Sequence, residues 1–364
     1  MTSNALSRTA FAILIGAFAN SVSAQQPTTA PIAASSATLN LMPVPRTTSV
    51  RPGRLRIDAS FRVDLVRHTD ARLERAVQRM LPRMERRVGL PLSRHVSHGA
   101  LPQTATLVID CAASGNPVQS VSEDESYTLD VGNDAITLRA PTAVGAMHGL
   151  ETVLQLVDGD SAGFFVPAVS IQDSPRFPWR GLMVDVSRHF EPIAMVERTL
   201  DAMAAVKLNV LHWHLSDDQG FRVESRRYPR LQRLGSDSLY YTQKQIHDLV
   251  AYARDRGIRV VPEFDIPGHS SSWFVGYPQY ASAPGQYHIA RTWSRFSPVP
   301  VFDPTHEDTY RFIDRFIGEM TTLFPDAYWH IGGDEVNGKQ WNASPHIQAF
   351  MKSHHLADNA ALQA

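Results

Sequence analysis

The chain has 364 residues, with 35 basic and 36 acidic side chains and 43% hydrophobic content. This size and composition suit one large or two medium globular domains, and the balanced charge gives no indication of nucleic acid or an anionic membrane surface as a partner. The single cysteine, Cys111, cannot form an internal disulfide, and its place at the end of an alternating run favours a core role.

Residues 1–24 have the pattern of a secretory signal peptide. Arg8 precedes a short apolar core, and Val22-Ser23-Ala24 offers the small residues that cleavage requires. The apolar core is too short to cross a bilayer, so we expect no membrane span in the mature chain. We expect residues 25–50 to form a flexible linker and the protein to be secreted or periplasmic. The alternative for residues 1–24 is an ordinary apolar helix.

Residues 51–173 predict a small α+β domain. Apolar residues recur at helical spacing from Leu73 to Met84, and the seven arginines between Arg67 and Arg87 are expected to form the solvent-facing side of that helix. A nucleic-acid site is less favoured because no aromatic residues interleave with them. The other predicted elements are strands at Phe61–Val66, Thr104–Cys111, Ser126–Val131 and Ala135–Arg139, the last two as a hairpin, and a helix at Thr142–Val157.

Residues 174–364 show strict alternation of strands and helices. This alternation predicts a parallel sheet, either open or closed into a barrel. Thr242 and Gln245 have the spacing of a capping box. The predicted strands are Gly181–Ser187, Leu208–Leu215, Ile258–Phe264 and Tyr328–Ile331, and the predicted helices are Pro192–Val206, Thr242–Arg256 and Glu307–Phe324.

Every predicted strand of this second part ends in ionisable residues. Parallel architectures gather function at the carboxyl ends of their strands, and no folding requirement explains so many charged groups there. The candidates in chain order are Asp185, Arg188 and His189; His212, His214, Asp217 and Asp218; Glu263, Asp265 and His269; and Asp334 and Glu335.

Purely structural roles are open for several of these groups. The acid pair after Gly332-Gly333 could cap a helix. His212 and His214 stand two apart on a strand, face the same side, and are more often satisfied core residues than ligands. Asp218 could cap the following loop, and Asp185 could pair with a neighbouring arginine.

One chemistry accounts for the set economically, namely cleavage of a glycosidic bond. It needs a carboxylic acid that is kept neutral near the working pH and protonates the leaving oxygen, and it needs negative charge near the oxocarbenium centre. An aspartate–histidine relay could tune the acid from behind. Asp334 and Glu335 are adjacent on a segment expected to be extended, so their side chains are expected to diverge toward different parts of one sugar.

Four ordered motifs resemble glycoside hydrolase family 20, the β-N-acetylhexosaminidases, over about Pro175 to Met351. They are R-G-L-M-V-D-V-S-R-H-F, L-N-V-L-H-W-H-L-S-D-D-Q, G-I-R-V-V-P-E-F-D-I-P-G-H and H-I-G-G-D-E-V-N. The resemblance implies a (β/α)₈ TIM barrel in which 174–364 supplies about the first half, preceded by a small α+β domain over 51–173.

The resemblance also implies a role for each site residue. Glu335 would be the general acid/base, Asp334 would orient the 2-acetamido group, Asp217 and His269 would form the relay, and Arg188 would bind sugar hydroxyls. The substrate would be an oligosaccharide ending in N-acetylhexosamine: a chitin oligomer, a peptidoglycan fragment or a glycan. Its own acetamido oxygen would attack the anomeric carbon, with net retention through an oxazolinium ion. No cofactor or metal is implied.

Half a barrel would lack the tryptophans that wall the sugar pocket and would expose strand edges, so we expect these residues alone to be poorly soluble or inactive. Trp341, next to the acid pair, is expected to be a packing residue. Two other functions stay open. A metal-dependent amidohydrolase would use H-W-H as a ligand pair but needs further ligands on later strands. A non-catalytic sugar-binding protein would leave the proton-handling groups idle.

Overall fold

The computed structural model describes residues 39–99, 105–291 and 301–364. The predicted signal peptide (1–24) and residues 25–38 of the predicted linker lie outside these ranges. The linker prediction is wrong from Thr47 onward, because a strand begins there and Val50 pairs with Val169.

Within the described ranges, no helix combines the length and the apolar character that a membrane crossing requires.

The first part of the chain forms an eight-stranded mixed sheet with two helices packed together beside it. Its strand order is β1-β8-β5-β6-β4-β2-β3, with β7 paired to β8. The elements are β1 (Thr47–Ile57), β2 (Val63–Arg67), α1 (Ala71–Val88), β3 (Val96–His98), β4 (Leu107–Ala113), β5 (Tyr127–Val131), β6 (Ile136–Thr142), α2 (Ala143–Leu156), β7 (Asp158–Asp160) and β8 (Gly163–Asp173). The structure confirms the predicted hairpin as β5–β6, the strand near Thr104–Cys111 as β4, and both helices as α1 and α2. Cys111 is buried, as its predicted core role requires.

No sequence pattern indicated the antiparallel pair of β1 and β8. Pro52-Gly53 interrupts β1 and Pro167 interrupts β8, and such residues usually indicate loops. The structure accommodates the interruption in β1 with a register shift between Val50 and Arg54. An irregularity of this kind lets a proline and a glycine remain within an edge strand.

The arginines of α1 are not a uniformly solvent-facing side, so that expectation is wrong in part. Arg72 is buried, and Arg83 forms a two-pronged ion pair with Glu151 of α2. Arg75 binds both carboxylate oxygens of Asp255 at 2.7 Å, in the second part of the chain. The planar guanidinium suits this bidentate geometry, so α1 uses its arginines to hold neighbouring elements.

The second part contains the predicted helices and three of the four predicted strands, but further short elements lie between them, so the alternation is not strict. Its elements are β9 (Gly181–Asp185), α3 (Ile193–Ala205), β10 (Val210–Asp217), β11 (Gly220–Phe221), α4 (Arg230–Gly235), α5 (Gln243–Arg254), β12 (Arg259–Phe264), α6 (Ser271–Gly276), a 3-10 turn (Pro278–Tyr280), α7 (Glu307–Met320), α8 (Lys339–Ala343), α9 (Pro345–Ser353) and α10 (Asn359–Gln363). Strands β9, β10 and β12 are parallel neighbours. The predicted capping box is present, since Thr242 and Gln245 exchange hydrogen bonds at the start of α5.

An aromatic core fills the space between this sheet and its helices. Trp273 of α6 packs edge-to-face against Phe221, Phe264 and Phe316. Such edge-to-face contacts add to the free energy gained by burial alone. The core therefore fixes β12 relative to α6 and α7.

The predicted fourth strand, Tyr328–Ile331, is not a regular strand. It makes a single parallel bridge, between Glu263 and His330, with three backbone hydrogen bonds to residues 262–266. Among the described residues, the backbone of this segment pairs with β12 on one side only, and Tyr328 and Ile331 are exposed. Leu182 and Met183 on β9 are exposed in the same way. The segment still runs along β12, and this places its end beside the ends of the other strands.

Candidate active site

The carboxyl ends of the four extended segments meet in one place. Asp185 of β9 lies opposite His214 of β10, which lies opposite Glu263 of β12. Glu263 in turn pairs with His330 of the fourth segment. Parallel register therefore brings together pairs of charged groups that are 29, 49 and 67 positions apart in the sequence.

A chain of contacts runs from Asp217 through His269 to Glu335. Asp217 Oδ1 lies 3.1 Å from His269 Nδ1, and His269 Nε2 lies 3.5 Å from Glu335 Oε2. The hydrogen bond to Asp217 is the main reason why the pKa of His269 rises to about 9. The imidazole is then protonated at neutral pH and presents a positive charge to the carboxyl group of Glu335.

Arg188 faces this relay. Its Nη2 lies 2.6 Å from Asp217 Oδ2, and its Nη1 donates to Asp185 Oδ2 at 2.7 Å. The other oxygen of Asp185 accepts the backbone N–H groups of Ser187 and Arg188, so the turn after β9 orients the guanidinium. Asp185 thus takes the structural role considered for it, and it also positions Arg188.

A second layer of buried groups supports Asp217. His214 places Nε2 2.9 Å from Asp217 Oδ2 and Nδ1 2.7 Å from Glu263 Oε2. Burial opposes a charge on His214, but its hydrogen bonds to Asp217 and Glu263 outweigh this effect and raise the pKa to about 10. Burial also opposes the charge of Asp217, yet hydrogen bonds from both imidazoles lower its pKa to about 2.

Gly332 and Gly333 let the fourth segment approach β12. A Cβ atom on Gly332 would lie 1.8 Å from Asp265 Oδ1, and the backbone of both glycines has positive φ. Asp265 Oδ1 accepts the N–H of Gly333 at 3.1 Å. Burial, only partly offset by this hydrogen bond, raises the pKa of Asp265 to about 7.

The expectation that the side chains of Asp334 and Glu335 diverge is wrong. Both carboxylates approach the same atom, since Asp334 Oδ2 lies 3.9 Å and Glu335 Oε2 3.5 Å from His269 Nε2. Glu335 has φ +51° and His269 φ +50°, so the alternation of a regular strand does not apply. Such left-handed residues are strained and concentrate at functional sites.

The two carboxyl groups of the acid pair are largely exposed to solvent. The side chains of Asp334 and Glu335 are 65% and 71% exposed. Within the described residues, His269 therefore lies near both carboxylates, but the surrounding side chains exclude little water from them.

Other candidates lie outside the relay. Asp218 was considered as a cap of the following loop, but it accepts the N–H and hydroxyl of Ser271 at the start of α6. His189 is exposed and points toward Glu191. Trp341 is buried and its Nε1 donates to Phe302 O at 2.9 Å, which confirms the packing role.

Glu263 was a candidate without a predicted role, and His330 was not among the candidates. Glu263 Oε2 is 2.6 Å from His212 Nε2, and Glu263 Oε1 is 3.0 Å from His330 Nδ1. These three residues place donor atoms close enough to hold a metal ion, but His212 is the only histidine of the H-W-H pair among them. They also satisfy one another as hydrogen-bond partners. Glu263 is an acidic residue within the mostly apolar run of β12, and this signal was available in the sequence.

Asp217→Asn is expected to lower the pKa of His269 from about 9 toward its ordinary value of 6.5, because the variant removes the carboxylate that stabilises the imidazolium. The raised pKa means that protonated His269 contributes stability below about pH 6.5, which is lost as the pH rises through about 9. Histidine ¹⁵N chemical shifts measured against pH report the change. Asp308→Asn, on the exposed side of α7, is the control. Wild-type His269 titrating near 6.5 would contradict this prediction.

Comparisons with known proteins match both parts of the chain. Residues 177–364 match the model of the glycosyl hydrolase family 20 catalytic domain, and residues 38–174 match domain 2 of the same family. The beta-hexosaminidase subunit beta of Mus musculus is 47% identical over 236 residues, which cover 64% of this chain and 43% of that protein.

Solved structures show the same relationship. The chitobiase of Flavobacterium johnsoniae superposes with a TM-score of 0.84 at 46% identity, covering 89% of this chain and 49% of that one. The exo-β-N-acetylglucosaminidase of Vibrio harveyi, in complex with N-acetylglucosamine, has a TM-score of 0.70 at 29% identity, covering 88% and 51%. The chain spans less than half the length of the mouse relative. With both family models matched in order over most of its length, the chain belongs to glycosyl hydrolase family 20.

Proposed function

We propose that the protein containing this chain is a retaining exo-β-N-acetylhexosaminidase, which removes terminal N-acetylglucosamine or N-acetylgalactosamine from oligosaccharides. The observation that carries this proposal is the distance of 3.5 Å between Glu335 Oε2 and His269 Nε2. The other ring nitrogen of His269, Nδ1, is hydrogen-bonded to Asp217. The similarity to an exo-β-N-acetylglucosaminidase that binds N-acetylglucosamine supports the substrate class.

In the proposed first step, Glu335 donates a proton to the glycosidic oxygen as the bond to the anomeric carbon breaks. The carbonyl oxygen of the substrate's own 2-acetamido group bonds to that carbon and forms an oxazolinium ion, so no enzyme nucleophile takes part. Asp334 accepts the acetamido N–H and stabilises the positive charge. Arg188 binds hydroxyl groups of the terminal sugar.

In the proposed second step, the carboxylate of Glu335 takes a proton from water as the water oxygen attacks the anomeric carbon. The acetamido oxygen leaves, and two inversions give net retention. Between the two steps the imidazolium of His269 lies 3.5 Å from the carboxylate of Glu335. Asp217 holds the imidazole in place and keeps it protonated.

A series of substrates with one, two or three fluorines on the acetyl group tests the proposal. Fluorine withdraws electrons from the carbonyl oxygen, so kcat/KM is expected to fall with each substitution, and a glucoside without the acetamido group should not be hydrolysed. ¹H NMR of the first-formed product should show the β anomer. Equal rates along the series, or an α product, would refute the substrate-assisted route.

The contact of His212, Glu263 and His330 favours a metal-dependent amidohydrolase as a second candidate. That enzyme would lose its activity on dialysis against a chelator and regain it with zinc. The glycosidase proposed above should keep its activity through the same treatment.

A further inference from the structure

A second group of metal-type donors lies outside the relay, where the starts of two helices meet. Asp303 and His306 stand in the turn before α7, with His306 as its N-cap residue. His346 is in the first turn of α9, forty residues later. Two imidazole nitrogens and a carboxylate oxygen form a donor set that zinc and related divalent ions prefer.

The donor atoms are spaced for a shared ion. One donor atom from each residue lies within 4.8 Å of the other two, and His306 Nε2 is 3.6 Å from Asp303 Oδ2. Ligands bound tetrahedrally at about 2.0–2.1 Å stand roughly 3.3 Å apart. Rotation of the exposed imidazoles suffices to close the remaining distance.

The surrounding fold holds the carboxylate in place. The side chain of Asp303 is 7% exposed, and its Oδ1 accepts the N–H and the hydroxyl of Thr305 at 2.8 and 2.6 Å. Its backbone N–H donates to Tyr280 O at 2.9 Å. One oxygen is therefore committed to the turn while Oδ2 faces His306. Outer contacts of this kind orient the ligands of metal sites.

The charge balance also points to a cation. Within residues 39–99, 105–291 and 301–364, His306 is the only basic side chain with a nitrogen within 4 Å of the Asp303 carboxylate. Buried carboxylates are normally paired with a cationic group or coordinate a metal. The rings of His306 and His346 stack at 4.9 Å with 12° between their planes, and both residues are exposed, so an ion can enter from solvent.

We propose that Asp303, His306 and His346 bind one divalent transition-metal ion of the zinc type. Binding exchanges the contact between His346 Nε2 and Thr305 Oγ1, now 2.8 Å, for a metal bond. The ion joins the start of α7 to the start of α9.

Zinc binding by the full chain tests this proposal. The protein is purified without a histidine tag, equilibrated with Zn²⁺ and analysed by mass spectrometry for retained metal, with calorimetry for affinity. We expect one equivalent in the wild type and at least a tenfold weaker affinity in His306→Ala, His346→Ala and Asp303→Asn. The two histidines are exposed, so their variants should fold normally. Cobalt substitution should give a visible spectrum that His346→Ala loses.

Two control variants separate this site from other histidines. His247→Ala removes an exposed histidine on α5, and His212→Asn disrupts the interior cluster with Glu263. Both should retain the equivalent of zinc. The proposal is overturned if the wild type retains no zinc, if His306→Ala and His346→Ala bind as tightly as the wild type, or if His212→Asn alone abolishes binding.

Discussion

Glu335→Gln should lower kcat/KM for an oligosaccharide by about 10²–10⁴-fold, the range that a positioned proton donor supplies. The amide keeps the shape of the side chain and its place beside His269, but it cannot transfer a proton to the leaving oxygen. Affinity for N-acetylglucosamine should change little, because Glu335 acts on the leaving group and not on the terminal sugar. Initial rates and calorimetry with the product measure the two effects.

The identity of the leaving group sharpens this prediction. A 2,4-dinitrophenolate leaves without protonation, so the variant should lose far less of its rate on that glycoside than on a sugar leaving group. A folding defect would lower both rates equally. Glu307→Gln, an exposed glutamate at the start of α7, is the matched control and should have wild-type rates. If Glu335→Gln retained full turnover of oligosaccharides, the acid assignment would be wrong. If the wild type bound the sugar without turnover, the protein would be a sugar-binding protein.

Strand order placed the components of the relay among the candidates, and the resemblance to glycoside hydrolase family 20 selected them from that set. Asp217, His269 and Glu335 each follow an apolar run, and parallel strands bring such ends to one edge. The alternation of strands and helices also predicted β9, α3, β10, α5, β12 and α7, since their periodicities are strong, but it did not predict β11, α4 or α6. Neither inference required knowledge of individual side-chain conformations.

The direction of the carboxylates was not predictable in the same way. It depends on positive φ at Gly332, Gly333 and Glu335, which turns the chain after His330. Glycines indicate that such angles are possible, but glutamate usually avoids them. The close approach to Asp265 that requires Gly332 is a tertiary contact with a residue 67 positions earlier. Periodicity carries no information about contacts of this kind.

The support behind the relay illustrates a related limit. His212 and His214 were correctly placed on one side of a strand, and satisfied core histidines were a fair interpretation. Their shared partner is Glu263, which stands opposite on the neighbouring strand. Strand register decides which groups stand opposite each other, and register depends on tertiary packing. Glu263, His212 and His214 therefore form a network of paired side chains that the sequence pattern of each strand alone did not indicate.

Asp326→Ala should destabilise the folded chain by about 3–5 kcal/mol, the usual cost of leaving one member of a buried ion pair alone. Arg259, the first residue of β12, binds both oxygens of Asp326 at 2.7 Å, and the two side chains are 2% and 3% exposed. The guanidinium also lies 5.0 Å from the ring of Trp179 and 5.3 Å from that of Tyr328. Truncation would leave a buried positive charge between two aromatic rings.

This ion pair holds the start of the segment that leads to the acid pair, because Asp326 Oδ1 also accepts the N–H of Tyr328 at 2.9 Å. Urea unfolding followed by circular dichroism measures the loss. Asp308→Ala breaks an exposed ion pair with Arg311 on α7 and should leave the midpoint unchanged. The double variant Arg259→Met/Asp326→Leu should recover much of the stability, because two apolar side chains need no counter-charge. A loss of unfolding free energy below about 1 kcal/mol in Asp326→Ala would show that water solvates Arg259 or that another group neutralises it. Other contacts would then anchor the fourth segment.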